Sequence, residues 1–324
     1  PDVTLPPGMN FGLKAGAMAK GVMARSIANR ITSMARNFIA GVDARSALPT
    51  LRKRWDRGIA FSVDLLGEAC VSDAEARGYQ GRYLGLVKTL PGEVGRWPAR
   101  AELESDHLGP VPRTNVSIKI SSLDARADAI DFSRSVDRLA EAIRPILEAA
   151  RDHDVLVNFD MEQFALKDLT LELFERCAEE VDFPAGLALQ SYLRDGVEDA
   201  RRIAAWARRA GRQVTVLLIK GAYWDYEVIH AEQMGWPVPV WTEKRQTDAC
   251  FERMARILVE AAPRQAGEGG VMLALGSHNV RSIAHTLALL EEHGLPHSAL
   301  DLQMLFGMAD ELKTAALKKG LRVR

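Results

Sequence analysis

Eight short runs of β-branched and apolar residues recur along this chain from about residue 59 onward, and most are separated by helical periodicity. The runs are "IAFSVDLL", "NVSIKIS", "VLVNFDME", "GLALQSY", "VTVLLIK", "VMLALGS", "LDLQMLF" and "LRVR". Between them lie amphipathic stretches such as "VDRLAEAIRPILEAARDH", "VEDARRIAAWARRAG", "CFERMARILVEAA" and "VRSIAHTLALLEEHG". Parallel neighbours need a crossover long enough to hold a helix, so this alternation predicts a parallel sheet. Eight such units close naturally into an α/β fold of the (β/α)8 barrel type. A doubly wound open sheet is the rival, but the GxGxxG turn it usually carries after its first strand is absent. The fifth run is apolar along its length and reads as a strand buried on both faces. The eighth, Leu321–Arg324, ends the sequence, which leaves the helix expected after it outside this chain.

Composition removes several function classes. Of 324 residues, 47% are hydrophobic and 26% charged, the balance of a folded globular enzyme rather than of a disordered chain. A formal net charge of −1 supplies no basic field for nucleic acid. Cys70, Cys177 and Cys250 show no CxxC spacing, so a reducing, cytoplasmic compartment is expected. No apolar run is long enough to span a membrane, and the N-terminus lacks a signal peptide's apolar core. The chain opens with Pro1 rather than Met, as a processed form or an excised piece would. Met18, Val22, Met23, Ile27, Ile31, Met34 and Phe38 recur at helical spacing among Lys14, Lys20, Arg25, Arg30 and Arg36. Residues 1–45 therefore read as an N-terminal helical arm, and 46–324 as the barrel. The arm is expected to pack on the barrel or another domain; contact with an anionic membrane surface, or a transit-peptide role, is the alternative.

A barrel of this kind places its active site at the C-terminal ends of its strands. Those ends carry Asp64 with Glu68 beyond, Lys119, Asp160 with Glu162, Gln190 with Tyr192, Lys220 with Tyr223 and Trp224, Ser277 with His278, and Gln303. One such residue is commonly a satisfied ion pair. Polar groups at most strand ends together need a wet pocket, because each is costly to desolvate alone. Only His278 among the histidines sits at a strand end, so no metal site is expected. Lys220 at the end of the fifth strand leaves a Schiff-base lyase open. The "GAYWD" that follows it suits instead a large flat ligand with phosphates.

"LLIKGAYWDYE" resembles the fifth-strand motif of the proline dehydrogenase family, in particular the flavin domain of bifunctional proline utilisation A enzymes. "FIAG", "VDLLGEA", "VSIKISSL", "VNFDMEQ", "LALQSY", "WTEKRQTD", "GSHN" and "LQMLFGM" resemble the family's other landmarks, in order along nearly the whole chain. The resemblance implies FAD at the barrel mouth and hydride transfer from C5 of L-proline to flavin N5, giving Δ1-pyrroline-5-carboxylate, with electrons passed to a quinone. It implies that Lys119 meets the substrate carboxylate, that Asp160 orients the surrounding cations, and that Tyr223 and Leu305 wall the proline pocket. It assigns Gln190, Ile219, Gly221, Ala222 and Trp224 to the flavin, and Lys220 to a position near its phosphates. Thr242, Lys244, Ser277, His278, Asn279 and Gln303 fall to the phosphate and adenosine portions.

Two departures accompany the resemblance. The family completes its carboxylate clamp with two arginines on the helix after the eighth strand, where this chain stops; Glu68 is the implied partner of one of them. Leu217 stands where the family usually has an arginine that reaches the flavin, and its effect falls on flavin retention or potential. A second dehydrogenase domain in the parent chain and a peripheral encounter with a quinone-bearing inner membrane are further implications, with the mitochondrial matrix as the compartment in a eukaryote. A flavin-holding module without activity stays open beside the enzyme reading.

Overall fold

A computed structural model describes residues 27, 30–32, 38–67 and 69–324. Most of the expected N-terminal arm, and Glu68, lie outside the described residues. The described chain begins in earnest with helix α1 (Ala44–Trp55), whose Asp43 and Ser46 form a reciprocal capping box. The barrel follows as β1 (Ser62–Asp64), α2 (Asp73–Val94), α3 (Ala101–Glu104), β2 (Thr114–Ile118), α4 (Phe132–Asp152), β3 (Val155–Phe159), α5 (Lys167–Glu180) and β4 (Ala185–Gln190). It continues through α6 (Gly196–Ala210), β5 (Gln213–Ile219), α7 (Trp224–Met234), α8 (Lys244–Glu260), β6 (Gly270–Gly276), α9 (Val280–Glu292), β7 (Leu300–Gln303), α10 (Asp310–Lys318) and β8 (Arg322–Val323). Among the described residues no helix is long and apolar enough to cross a membrane.

The helices follow their sequence period. Helix α4 buries Val136, Leu139, Ala140, Ile143, Ile146, Leu147 and Ala150, a single stripe at the helical repeat. Helices α6 and α7 stop at Gly211 and Gly235, both left-handed, where a side chain would be strained.

All eight strands run parallel in sequential order. The ring closes through a parallel bridge between Ile59 and Val323, with Ala60 N–H donating to Val323 O at 2.9 Å. The first and last strands are shorter than the apolar runs that announce them, three and two residues, because their ladders with β2 and β7 are brief.

Register assigns the two faces. Phe159 packs edge-on against Phe174 of α5 at 5.5 Å, so its face, shared with Leu187 and Val216, looks outward to the helices. The opposite face carries Asn158, Gly186 and Thr215, and one step further Ala188, Leu217 and Ala274; this is the barrel interior. Strand β5 is not buried on both sides as its composition predicts. Val214, Val216 and Leu218 are buried under helices, whereas Thr215, Leu217 and Ile219 are half-exposed. Small residues flank them on the inner face, Gly186 and Ala188 on β4 and Ala274 and Gly276 on β6, although Met272 stands beside Thr215 and Gln190 beside Ile219. Apolarity of a run does not reveal what stands beside it, and here the interior is left open.

Opposite this gap the interior is filled by charge. Asp301 on β7 accepts from Arg324 Nε at 2.7 Å and Arg322 Nε at 3.2 Å, and Arg324 Nη1 donates to Phe61 O at 2.9 Å. All three side chains are buried. Burial pushes the Asp301 carboxyl up, but Arg324 and Arg322 outweigh it and hold it below its ordinary range. This trio ties β7 to β8 and β8 to the approach of β1, so it fastens the seam of the barrel.

Candidate functional site

The residues singled out at the strand ends form three groups around the barrel mouth. The first centres on Lys119, directly after β2. Its Nζ donates to Asp64 Oδ1 and Oδ2 at 2.7 Å each and to Asp160 Oδ2 at 3.1 Å. Asp160 Oδ1 accepts from Asn158 Nδ2 at 2.9 Å. Burial raises the Asp160 carboxyl, Lys119 pulls it back and Asp64 pushes it up again, leaving it at about 6. Burial acts on Lys119 in the opposite sense, yet the Asp160 and Asp64 carboxylates outweigh it and hold the ammonium above the usual lysine range. One cation between two carboxylates complements a zwitterion, which brings its own carboxylate and its own ammonium.

Tyr223 stands at the edge of this trio. Burial pushes its phenol up first and Glu162 next; Lys119 opposes, and Asp160 and Asp64 add to the rise. Glu162 itself is buried and accepts from Ser121 N–H at 3.1 Å and from the Ser121 hydroxyl, joining the loop after β3 to the turn after β2.

The second group follows β5. Lys220 Nζ and Lys244 Nζ share Asp248, each at 2.5 Å. Two cations on one carboxylate leave positive charge, the condition for holding phosphate oxygens. Gly221 has φ +136°, and a Cβ there would lie 2.5 Å from the Tyr192 ring, so no other residue fits this turn. Ala222 and Thr242 are exposed, and Trp224 Nε1 donates to Trp241 O at 2.8 Å, which brings the two tryptophans to one rim.

The third group lies at β6 and β7. Ser277 Oγ accepts from Asn279 N–H at 3.0 Å, which leaves its own proton to donate outward. Asn279 Oδ1 caps α9 through Ser282 N–H at 3.2 Å. His278 Nε2 accepts from Leu305 N–H at 3.1 Å, so the neutral ring carries its proton on Nδ1. The Leu305 side chain is 66% exposed at the mouth. Gln303 Nε2 donates to Asp301 Oδ2 at 3.1 Å, linking this group to the seam.

Between the groups the interior fits a flat heteroaromatic ring. Gln190 ends β4 with its Nε2 donating to Met161 O at 3.1 Å, while its buried Oε1 has no partner among the described residues. A buried acceptor left unpaired is costly, and a ligand N–H such as a flavin imide relieves it. Leu217 and Ile219 form the adjoining apolar wall. A Cβ on Gly276 would come within 2.7 Å of Ile219, so small neighbours keep this wall slim.

Sequence places Asp64 and Glu162 at strand ends but assigns neither a role. Asp248 closes the "WTEKRQTD" motif, and its spacing of four from Lys244 on a helix is the signal for the shared ion pair. Tyr83 carries no such signal: a fully buried tyrosine on α2 looks like core in sequence, yet its Oη accepts the Lys119 backbone N–H at 3.2 Å.

The model of the proline dehydrogenase family matches residues 47–324. The bifunctional protein PutA of Klebsiella aerogenes is 26% identical over 284 residues, 86% of this chain and 20% of the relative's length. Proline dehydrogenase 1 of Bacillus subtilis is 26% identical over 290 residues, 90% of this chain and 80% of that protein. Among solved structures, proline utilization A from Bdellovibrio bacteriovorus, inactivated by N-propargylglycine, superposes with a TM-score of 0.89 at 38% identity, covering 94% of this chain and 32% of that one. The chain thus spans about a fifth to a third of the bifunctional proteins it matches, and most of the monofunctional one. A lysine gripped by two carboxylates, a lysine pair sharing Asp248 and an open inner wall all sit within the matched segment. The chain belongs to the proline dehydrogenase family, a family of oxidoreductases.

Proposed function

We propose that this chain oxidises L-proline to Δ1-pyrroline-5-carboxylate in proline catabolism, with FAD as cofactor and a quinone as the onward acceptor. The observation that carries the reading is Lys119 held between Asp64 and Asp160 beside Tyr223, facing the open interior at β4 to β6. FAD, when bound, would supply a two-electron acceptor for the hydride lost from C5 of proline, the nitrogen giving up a proton as the C5=N bond forms.

The protein's own residues do the rest. Lys119 binds the substrate carboxylate by a charge-assisted contact. Asp64 and Asp160 keep that ammonium aimed and offer their charge to the substrate's cationic nitrogen. Tyr223 and Leu305 close the pocket over the ring and exclude water. Gln190 Oε1 would hold the flavin imide, and Leu217, Ile219, Gly221, Ala222 and Trp224 would line the ring. Lys220, Lys244, Thr242, Ser277, His278, Asn279 and Gln303 serve the phosphates and adenosine. A Schiff base at Lys220 needs a free amine, whereas this ammonium is paired with Asp248.

The test is turnover. Purified protein supplied with L-proline and a quinone or dye acceptor is expected to reduce the acceptor and form a pyrroline that condenses with o-aminobenzaldehyde. Acceptor reduction without the pyrroline adduct, or neither, contradicts the reading.

A further inference from the structure

We propose that Tyr83, a buried tyrosine on α2, is a positioning residue that sets the substrate-binding reach of Lys119 by holding its main chain. The proposal rests on the reading of Lys119 as the substrate-carboxylate ligand.

The β1–β2 ladder ends short of Lys119. Strand β1 stops at Asp64, which pairs with Ser117, so two residues later the Lys119 N–H has run past its neighbour on that side. A half-buried backbone donor that has lost its ladder partner needs an acceptor elsewhere. Tyr83 Oη supplies the acceptor at 3.2 Å, reaching up from α2 with its ring fully buried. The carbonyl of the same residue is held as well: Lys119 O accepts from Ser122 Oγ at 2.7 Å and from Ser122 N–H at 3.2 Å. Lys119 is therefore pinned through both of its peptide groups at the start of the turn Ile120–Ser122. The far side of that turn is anchored by Glu162 through Ser121.

This matters because a lysine side chain has four rotatable bonds and little aim of its own. Asp64 and Asp160 draw the ammonium inward, but they act as carboxylates that the ammonium can follow. The main chain sets the origin of its arc. Without the Tyr83 oxygen the Lys119 N–H is unsatisfied, and the turn shifts to find another partner or water. The ammonium then trades part of its contact with substrate for a closer pairing with Asp64. Tyr83 touches neither substrate nor cofactor in this account, so its effect passes entirely through Lys119.

The experiment is a double-mutant cycle on the flavin-loaded protein, combining Tyr83→Phe with Lys119→Met and reading KM and kcat for L-proline separately. Tyr83→Phe keeps the buried ring and removes one oxygen. In the native background it is expected to raise KM about threefold to tenfold, the range a single hydrogen bond's net worth covers, with kcat changed less. In the Lys119→Met background the same change is expected to alter kcat/KM less than twofold. Hydrogen exchange is expected to quicken in the peptide spanning residues 116–123 and to stay unchanged in the β5 and β6 strands. Ser122→Ala, which removes the shorter of the two hydrogen bonds on the Lys119 carbonyl, is expected to reproduce part of the KM rise if Tyr83→Phe proves poorly folded. Equal losses in both backgrounds, or an unchanged KM in the native background, overturn the inference while leaving proline oxidation intact. Absence of proline turnover by the native protein overturns the function reading first, and this inference with it.

Discussion

At the scale of single residues, the site depends on the unequal balance of Lys119 against two carboxylates. Lys119→Met removes the only ammonium paired with Asp64 and Asp160 among the described residues and leaves the two anions facing each other. Steady-state kinetics should show kcat/KM for L-proline falling by about two orders of magnitude or more, the scale of losing one partner of a desolvated charge pair. Asp160 predicts a pH dependence. Its carboxyl lies at about 6, so kcat/KM should decline as pH drops through that value and its charge against Lys119 is lost. Asp160→Asn should lower activity and remove that acid limb; an unchanged limb assigns the titration elsewhere. The stability sign is opposite. Because the native pKa is raised, the folded state holds more protons between about 4 and 6. This group's contribution to stability is present below that window and declines as pH rises through it.

At the scale of elements, the strands differ in what secures them. The inner face at β7 and β8 is fastened by Asp301 against Arg322 and Arg324, all buried. Asp301→Asn leaves two guanidiniums short of their counter-charge, and urea unfolding is expected to show a loss of about 3–5 kcal/mol. The depressed native pKa of Asp301 adds stability above about 4 that is lost on acidification. The eight strands and their order were legible in sequence because each alternation of apolar run and amphipathic helix reports a local period. The inner face of β5 was not. The resemblance singles out the identity of Leu217, but only the register sets it between Ala188 and Ala274, since an open wall is made by neighbours distant in sequence. The same limit hid Tyr83 and separated Asp64 from Lys119: contacts 36 and 55 residues apart leave no local pattern. Residues such as Lys220, Gly221 and Gln190 were legible because a strand end is itself a local signal, and the barrel converts that signal into a place.

At the scale of the whole molecule, the fold separates its tasks. The seam at β7, β8 and β1 is filled with fixed charge, the sector at β4 to β6 is slim-walled and open, and the mouth gathers Lys119 on one side and Lys220 with Lys244 on the other. Under the proposed function, this asymmetry would let one barrel end take a small zwitterion and a long phosphate-bearing cofactor at once. The most direct test of that account is anaerobic titration of the flavin-loaded protein with L-proline, following the visible absorption of the bound flavin. The predicted result is saturable bleaching by L-proline, with far more proline required by Lys119→Met. A bound flavin whose spectrum L-proline leaves unchanged would contradict it.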